Sequence, residues 1–287
     1  MTKVEETVHN LVTLNFRHFT LQRGVEMDVR NTITTLLRDG FILVFNEDRL
    51  DIVQTAQALI AAGVNNMEVT CRISKPLEKL TRLRKELPDF AAGMASLIDS
   101  AEMLEVYNKA HRADPLPSVR QAAETGARYL VSAVTFSDES YERFAGRLPM
   151  IPGCSSAGEV VSQFSKGANL CKVFPAKELG GAGFVKAIDA PLHKIISLVP
   201  TGGTSATNIP DYIEAGVLVL GASFSMIEKA TMKKIIDDQD YELLAKELLA
   251  VKHLIDTLRA EKYPGIDFAG ASLEEISRAT GRNFNIG

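Results

Sequence analysis

Eight short β-rich apolar runs recur from about Phe41 to Lys229, each followed by a turn and then by residues at helical spacing, and small-residue pairs precede every second run. Strands alternating with helices of this length require right-handed crossovers and a parallel sheet, and eight such units close on themselves. These observations predict an α/β fold, a (β/α)8 TIM barrel with an N-terminal helical prelude and a C-terminal helical extension. At 287 residues the chain is long enough for one such core. The expected divisions are a prelude over 1–40, the barrel over 41–229 and the extension over 230–287, all within one structural domain.

The strand candidates are Ile42–Asn46, Asn66–Arg72, Phe90–Ser96, Tyr129–Thr135, Met150–Ser155, Leu170–Ala176, Lys194–Pro200 and Val217–Phe224. Ala62-Gly63, Gly126-Ala127, Gly167-Ala168 and Ala215-Gly216 stand before the second, fourth, sixth and eighth, where small residues end a helix and let the chain turn back closely. Among the helices, Pro76 to Leu87 carries proline in its first turn and Leu77, Leu80, Leu83 and Leu87 on one side. Ahead of the barrel, Val8 to Phe19 alternates unevenly, Gly24 interrupts, and Val29 to Leu37 has helical spacing before a stop at Asp39-Gly40. The connection from Leu97 to Arg128 is long, polar and proline-broken between Asn108 and Pro117, an excursion between two helices at a surface or subunit contact. Tyr241 to Ala260 reads as a long helix and a short one follows from Leu273, an appendage expected to cover the barrel or a neighbouring subunit.

Composition narrows the function classes. Hydrophobic residues at 46% and charged residues at 24% are those of a globular chain, and a net charge of −4 argues against a protein that coats nucleic acid. No apolar run reaches membrane-spanning length and no secretory signal is apparent, so a cytoplasmic protein is expected. Cys71, Cys154 and Cys171 sit in apolar runs without pairing or ligand spacing and read as reduced core thiols. His9, His18, His111, His193 and His253 are scattered, so neither a metal nor another cofactor is expected.

The chemistry gathers at Leu170-Cys171-Lys172-Val173-Phe174-Pro175-Ala176. On the strand period Lys172 shares a face with Leu170 and Phe174, and the other face is apolar too. Burial strips water from an ammonium and favours the free amine, the form that attacks a carbonyl to make a Schiff base. A lysine that snorkels to solvent or pairs with a carboxylate is the alternative. In a barrel, function collects at the C-terminal strand ends. Glu68, Thr70 and Arg72 share one face of the second strand, and charges facing inward are costly to bury unless paired or working. Pro200-Thr201-Gly202-Gly203-Thr204-Ser205 places a glycine turn with free N–H groups directly before a helix, and Gly221-Ala222-Ser223 ends the last strand with little side chain in the way. Backbone donors of this kind bind a phosphate without a basic residue.

Glu68-Val69-Thr70-x-Arg72, Ile151-Pro152-Gly153, Lys172-x-Phe174-Pro175-Ala176 and Pro200-Thr201-Gly202-Gly203 occur in the order found in the 2-keto-3-deoxy-6-phosphogluconate / 4-hydroxy-2-oxoglutarate aldolases, which the chain resembles from roughly Asp39 to Lys229. The resemblance implies a class I lyase that cleaves a 4-hydroxy-2-keto acid, phosphorylated in the form expected here, to pyruvate and an aldehyde. It also implies Lys172 as the Schiff-base lysine, Glu68 as general acid/base and Arg72 as ligand of the substrate carboxylate. Ser96 falls at a position usually threonine, Phe174 lines the pocket, and Gly202, Gly203 and Ser223 match the phosphate binders, beside Thr201 and Gly221, which the glycine turn and the last strand end supply. Family members are typically trimers, so a homo-oligomer is expected, with a small-molecule substrate and neither nucleic acid nor membrane as partner. Three departures stand out: Gly93-Met94-Ala95-Ser96 for Gly-x-Gly-Thr, Ser132-Ala133-Val134 for Ser-Pro-Gly, and Lys177 where the family has glutamate. A phosphate-binding isomerase or synthase barrel without a covalent lysine, and a non-catalytic relative, remain the alternatives on the sequence.

Overall fold

The computed structural model of the chain describes residues 28–286, so the uneven run over Val8 to Phe19 lies outside them. Helix α1 (Val29–Asp39) begins where the Asp28 carboxylate accepts from Asn31 N, and it ends at Gly40, whose φ of +78° suits glycine and whose N–H closes on Leu36 O. From there strands and helices alternate: β1 (Phe41–Phe45), α2 (Ile52–Ala61), β2 (Asn66–Thr70), α3 (Pro76–Glu86) and β3 (Ala91–Leu97). The excursion after β3 holds α4 (Ala101–Ala110) and α5 (Val119–Glu124), two helices around a polar, proline-broken link. Then follow β4 (Leu130–Ser132), α6 (Asp138–Phe144), β5 (Met150–Ile151), β6 (Gly153–Cys154), α7 (Ala157–Ser165), β7 (Cys171–Val173), α8 (Gly181–Asp189), β8 (Leu198–Pro200), α9 (Ile209–Glu214) and β9 (Leu220–Ala222). A 3-10 turn (Phe224–Met226), α10 (Lys229–Asp238), α11 (Tyr241–Lys262) and α12 (Leu273–Thr280) complete the described chain.

Every strand pairing is parallel, in the orders β5-β4-β3-β2-β1-β9 and β6-β7-β8. Pro152, which has no N–H to give the ladder, separates β5 from β6 within one run. The two sheets abut at both edges, because Gly153 N donates to Val134 O and Thr201 bridges to Gly221. The result is a curled parallel sheet with helices outside.

Curling divides the core in two. Leu43, Met67, Met94, Leu130, Cys171 and Leu198 point outward beneath the helices, and Ile42, Ala95, Tyr129, Val131, Ile151 and Leu170 point inward. Strands buried on both faces need continuous apolar runs, which is why these segments do not alternate with polar residues. Gly93 is obligatory here, since a Cβ would sit 2.3 Å from the Tyr129 ring that fills the interior.

The N-terminal mouth is closed by α1 and the tail. Ile33, Leu36 and Leu37 of α1 join Phe268, Leu273, Ile276 and Phe284 in the inner core. Arg259 of α11 is fully buried and donates to the carbonyls of Leu37, Arg38 and Leu218. Arg282 grips both Asp189 oxygens at 2.7 Å and donates to Ile196 O and Gly216 O.

Several boundaries differ from the sequence expectations. The later strands are shorter: β4 is three residues of the expected Tyr129–Thr135, and β8 three of Lys194–Pro200. β2 ends at Thr70, so Arg72 does not continue the inward face of Glu68 and Thr70 and stands exposed in the following turn. The glycine turn does not run straight into a helix, because Ser205 to Asn208 intervene before α9. The strand period places side chains only while the ladder lasts, and where hydrogen bonding stops the chain turns outward.

Candidate active site

Lys172 projects inward from the middle of β7, and Glu68 from the middle of β2 across the interior. Their register partners are Gly153 and Val199 for Lys172, and Val44 and Gly93 for Glu68. Lys172 Nζ lies 3.2 Å from Glu68 Oε1, with both residues buried. The amine also faces the Phe174 ring, 5.6 Å from its centroid. Among the described residues the amine has no other hydrogen-bond partner, although an ammonium carries three donors.

The walls are set by neighbouring strands. Tyr129 lies beneath the pair, and burial, followed by the nearby Glu68 and Asp39 carboxylates, pushes its phenol well above the ordinary range. Its hydroxyl is held toward Asn66 Oδ1 at 3.4 Å, and Asn66 in turn donates to Asp39 at 2.7 Å. Burial raises Asp39 to about 6 against these hydrogen bonds. Tyr129 was not singled out from the sequence; the signal available was Gly93, whose missing side chain its ring occupies.

At the rim, Ser96 takes φ +59° at a register shift between β3 and β4, half-buried, and Ala95 packs inward in the core. Val134 is exposed on the β4 loop. Arg72 makes no ion pair among the described residues.

The glycine turn lies beside the lysine strand. The carbonyls of Thr201, Gly202 and Gly203 are taken by Ala176 N, Lys177 N and Asn208 Nδ2 at 2.8, 3.1 and 2.8 Å. This turns the peptide groups so that the N–H groups of Gly202 and Gly203 find no protein acceptor among the described residues. Both residues have positive φ, +93° and +73°. A Cβ on Gly202 would reach the Phe174 ring at 3.3 Å, and one on Gly203 would strike the Lys177 stem. The segment from Phe174 to Lys177 thus braces the turn, a connection invisible in the sequence. One βα unit later, Gly221 packs against Thr201, and Ser223 caps the 3-10 turn by accepting from Ser225 N. The structure therefore brings together Lys172, Glu68 and Phe174 as one cluster and Thr201, Gly202, Gly203 and Gly221 as another beside it.

A family model described as KDPG and KHG aldolase matches residues 115–245. The 2-dehydro-3-deoxy-phosphogluconate aldolase of Pseudomonas aeruginosa is 32% identical over 225 residues, 76% of this chain and 91% of that protein. The chain belongs to the KDPG/KHG aldolase family. Another member, the KHG/KDPG aldolase of Escherichia coli, is 28% identical across 68% of this chain and 81% of its own. The crystal structure of the Zymomonas mobilis 2-keto-3-deoxy-6-phosphogluconate aldolase with 3-phosphoglycerate superposes with a TM-score of 0.59 at 27% identity, covering 78% of this chain and 97% of that one. Most of the aldolase fold is therefore accounted for.

Proposed function

We propose that this member of the aldolase family is a class I aldehyde-lyase that cleaves a 4-hydroxy-2-keto acid, a 2-keto-3-deoxy-6-phospho sugar acid, to pyruvate and a glyceraldehyde 3-phosphate type aldehyde. The observation that carries this reading is the pairing of Lys172 Nζ with Glu68 Oε1 at 3.2 Å in the barrel interior. One amine with a single hydrogen bond beside one carboxylate is the pair that imine chemistry requires.

The free amine of Lys172 adds to C2 of the keto acid, and Glu68 carries the protons that form the carbinolamine and expel water. The protonated imine then withdraws electrons. Glu68 takes the proton of the C4 hydroxyl, the C3–C4 pair moves onto C3 as an enamine, and the aldehyde departs. Return of the proton to C3 and addition of water release pyruvate and the amine. Arg72, at the rim, receives the carboxylate, and Ser96 and Phe174 line the pocket. The phosphate sits on the N–H groups of Gly202 and Gly203 with Ser223 opposite, beside Thr201 and Gly221. The unspent donors of the turn support this, as does the crystal structure of the Zymomonas relative with 3-phosphoglycerate.

The same reading takes the curled sheet as a closed eight-stranded barrel, with β5 and β6 as one interrupted strand and the Thr201–Gly221 bridge as the seam. It takes the assembly as a trimer, as the resemblance implies; Met103 and Val106, 59% and 72% exposed on α4, supply apolar surface for such a contact.

Incubation with pyruvate followed by borohydride tests the chemistry. One pyruvate-derived mass should appear on the peptide that contains Lys172. Trapping at Lys177 instead would keep the chemistry and discard the site, and a folded protein that traps no 2-keto acid would remove the aldolase reading.

A further inference from the structure

A cleft of about 460 Å³ lies between α8 and α9, outside the sheet, where Lys177 and Asn208, which hold the glycine turn, form part of its lining. Its floor is the first turn of α8, which opens with Gly180 and Gly181 at positive φ and has no side-chain cap. The N–H of Gly181 is spent on Ala176 O, and those of Ala182 and Gly183 find no acceptor among the described residues. A Cβ on Gly183 would meet nothing within 4 Å, so the backbone there is bare to a ligand. Unpaired N–H groups at a helix start attract an oxyanion.

A second observation points the same way. Tyr212 of α9 is 1% exposed, lines the cleft, and its hydroxyl has no hydrogen-bond partner. That oxygen lies 3.9 Å from the place a Cβ on Gly181 would take, so it stands over the same turn. A buried hydroxyl left unpaired is costly and calls for an explanation, and a ligand oxygen would supply the partner. Lys177 and Lys186 flank the cleft, and neither forms an ion pair among the described residues. Of the acids on the α9 side, Glu214 is paired with Lys262 at 3.2 Å, which leaves Asp211 to accept from a hydroxyl.

We propose that this cleft binds a small phosphate monoester of a polyol. The phosphate rests on the Ala182 and Gly183 N–H groups and the Tyr212 hydroxyl, between Lys177 and Lys186, and a ligand hydroxyl meets Asp211. Lys177 joins this site to the glycine turn, since its stem crosses Gly203 and its N–H holds Gly202 O at 3.1 Å.

Equilibrium dialysis of the 287-residue chain with radiolabelled glycerol 3-phosphate tests the site. Tyr212→Phe should weaken one equivalent of binding by about tenfold, the worth of a hydrogen bond to a charged group, with an unchanged melting temperature because the hydroxyl has no bond to lose. Gly183→Asp, whose new side chain has room and carries a negative charge, should abolish the same equivalent. Ser223→Asp, at the glycine-turn site, should leave it in place. Binding untouched by both Tyr212→Phe and Gly183→Asp, or lost only in Ser223→Asp, would overturn the proposal. Glycerate competing as well as glycerol 3-phosphate would overturn the phosphate assignment.

Discussion

The two ends of the curled sheet bury cations in opposite ways. At the N-terminal mouth Arg282 spends its fork on both oxygens of Asp189 and two carbonyls, and Arg259 is fixed by three carbonyls and Asp256. At the C-terminal mouth Lys172 has one carboxylate oxygen and an aromatic face. Each of these arginines makes four hydrogen bonds, with the Arg259 Nε left over, because each missing hydrogen bond of a buried charge costs stability. In the proposed reaction Lys172 and Glu68 keep donors and lone pairs in reserve for a substrate. The glycine turn follows the same pattern, with the carbonyls of Thr201, Gly202 and Gly203 all spent outward and the N–H groups of Gly202 and Gly203 left free.

Substitutions at the two ends sharpen this contrast. The largest effect is expected from Lys172→Met, which should remove retro-aldol turnover and borohydride trapping altogether, while chemical denaturation shows a loss of no more than about 3–5 kcal/mol for the stranded Glu68. A larger loss of stability with residual turnover would make Lys172 a structural residue. Glu68→Gln should lower kcat by about 10²–10⁴-fold, the usual worth of a positioned acid/base, in steady-state pyruvate release. Arg282→Met should cost about 3–5 kcal/mol in a urea titration, since it strands the Asp189 carboxylate and two carbonyls, with kcat per folded molecule unchanged. If it moved kcat as much as stability, the two ends would not be separable.

The smallest effect concerns Asp39, beneath the inner core. Its folded pKa of about 6 exceeds the ordinary value of 3.8, so the folded state binds the extra proton between those limits. Its contribution to stability is therefore greatest at low pH and falls as pH rises from about 4 to about 6. The whole change is at most about 3 kcal/mol. Asp39→Asn, measured by denaturation across that range, should flatten the dependence.

Much of the site was legible before any coordinates. The period of two within apolar runs put Glu68 with Thr70 on an inward face and Lys172 on one face with Leu170 and Phe174, and the glycines at 202 and 203 announced a turn with free donors. The place of Arg72 was not legible, because the ladder of β2 stops at Thr70 and only pairing with β3 decides where it stops. The gap between the glycine turn and α9 was missed for a similar reason: Asn208 reaches back to Gly203 O and holds the intervening residues as a loop.

By itself the sequence determined the alternation of strands and helices, the family and the choice of Lys172 and Glu68 as the candidate pair, since these rest on local spacing and residue type. Only the tertiary structure decided which buried charges have many partners and which have few. Arg282 and Asp189 are 93 positions apart, Lys172 and Glu68 104, and no local pattern distinguishes the first pair from the second. The difference lies in how many carbonyls the closed mouth turns toward one guanidinium and how few acceptors the open mouth offers one amine, which packing of distant segments sets.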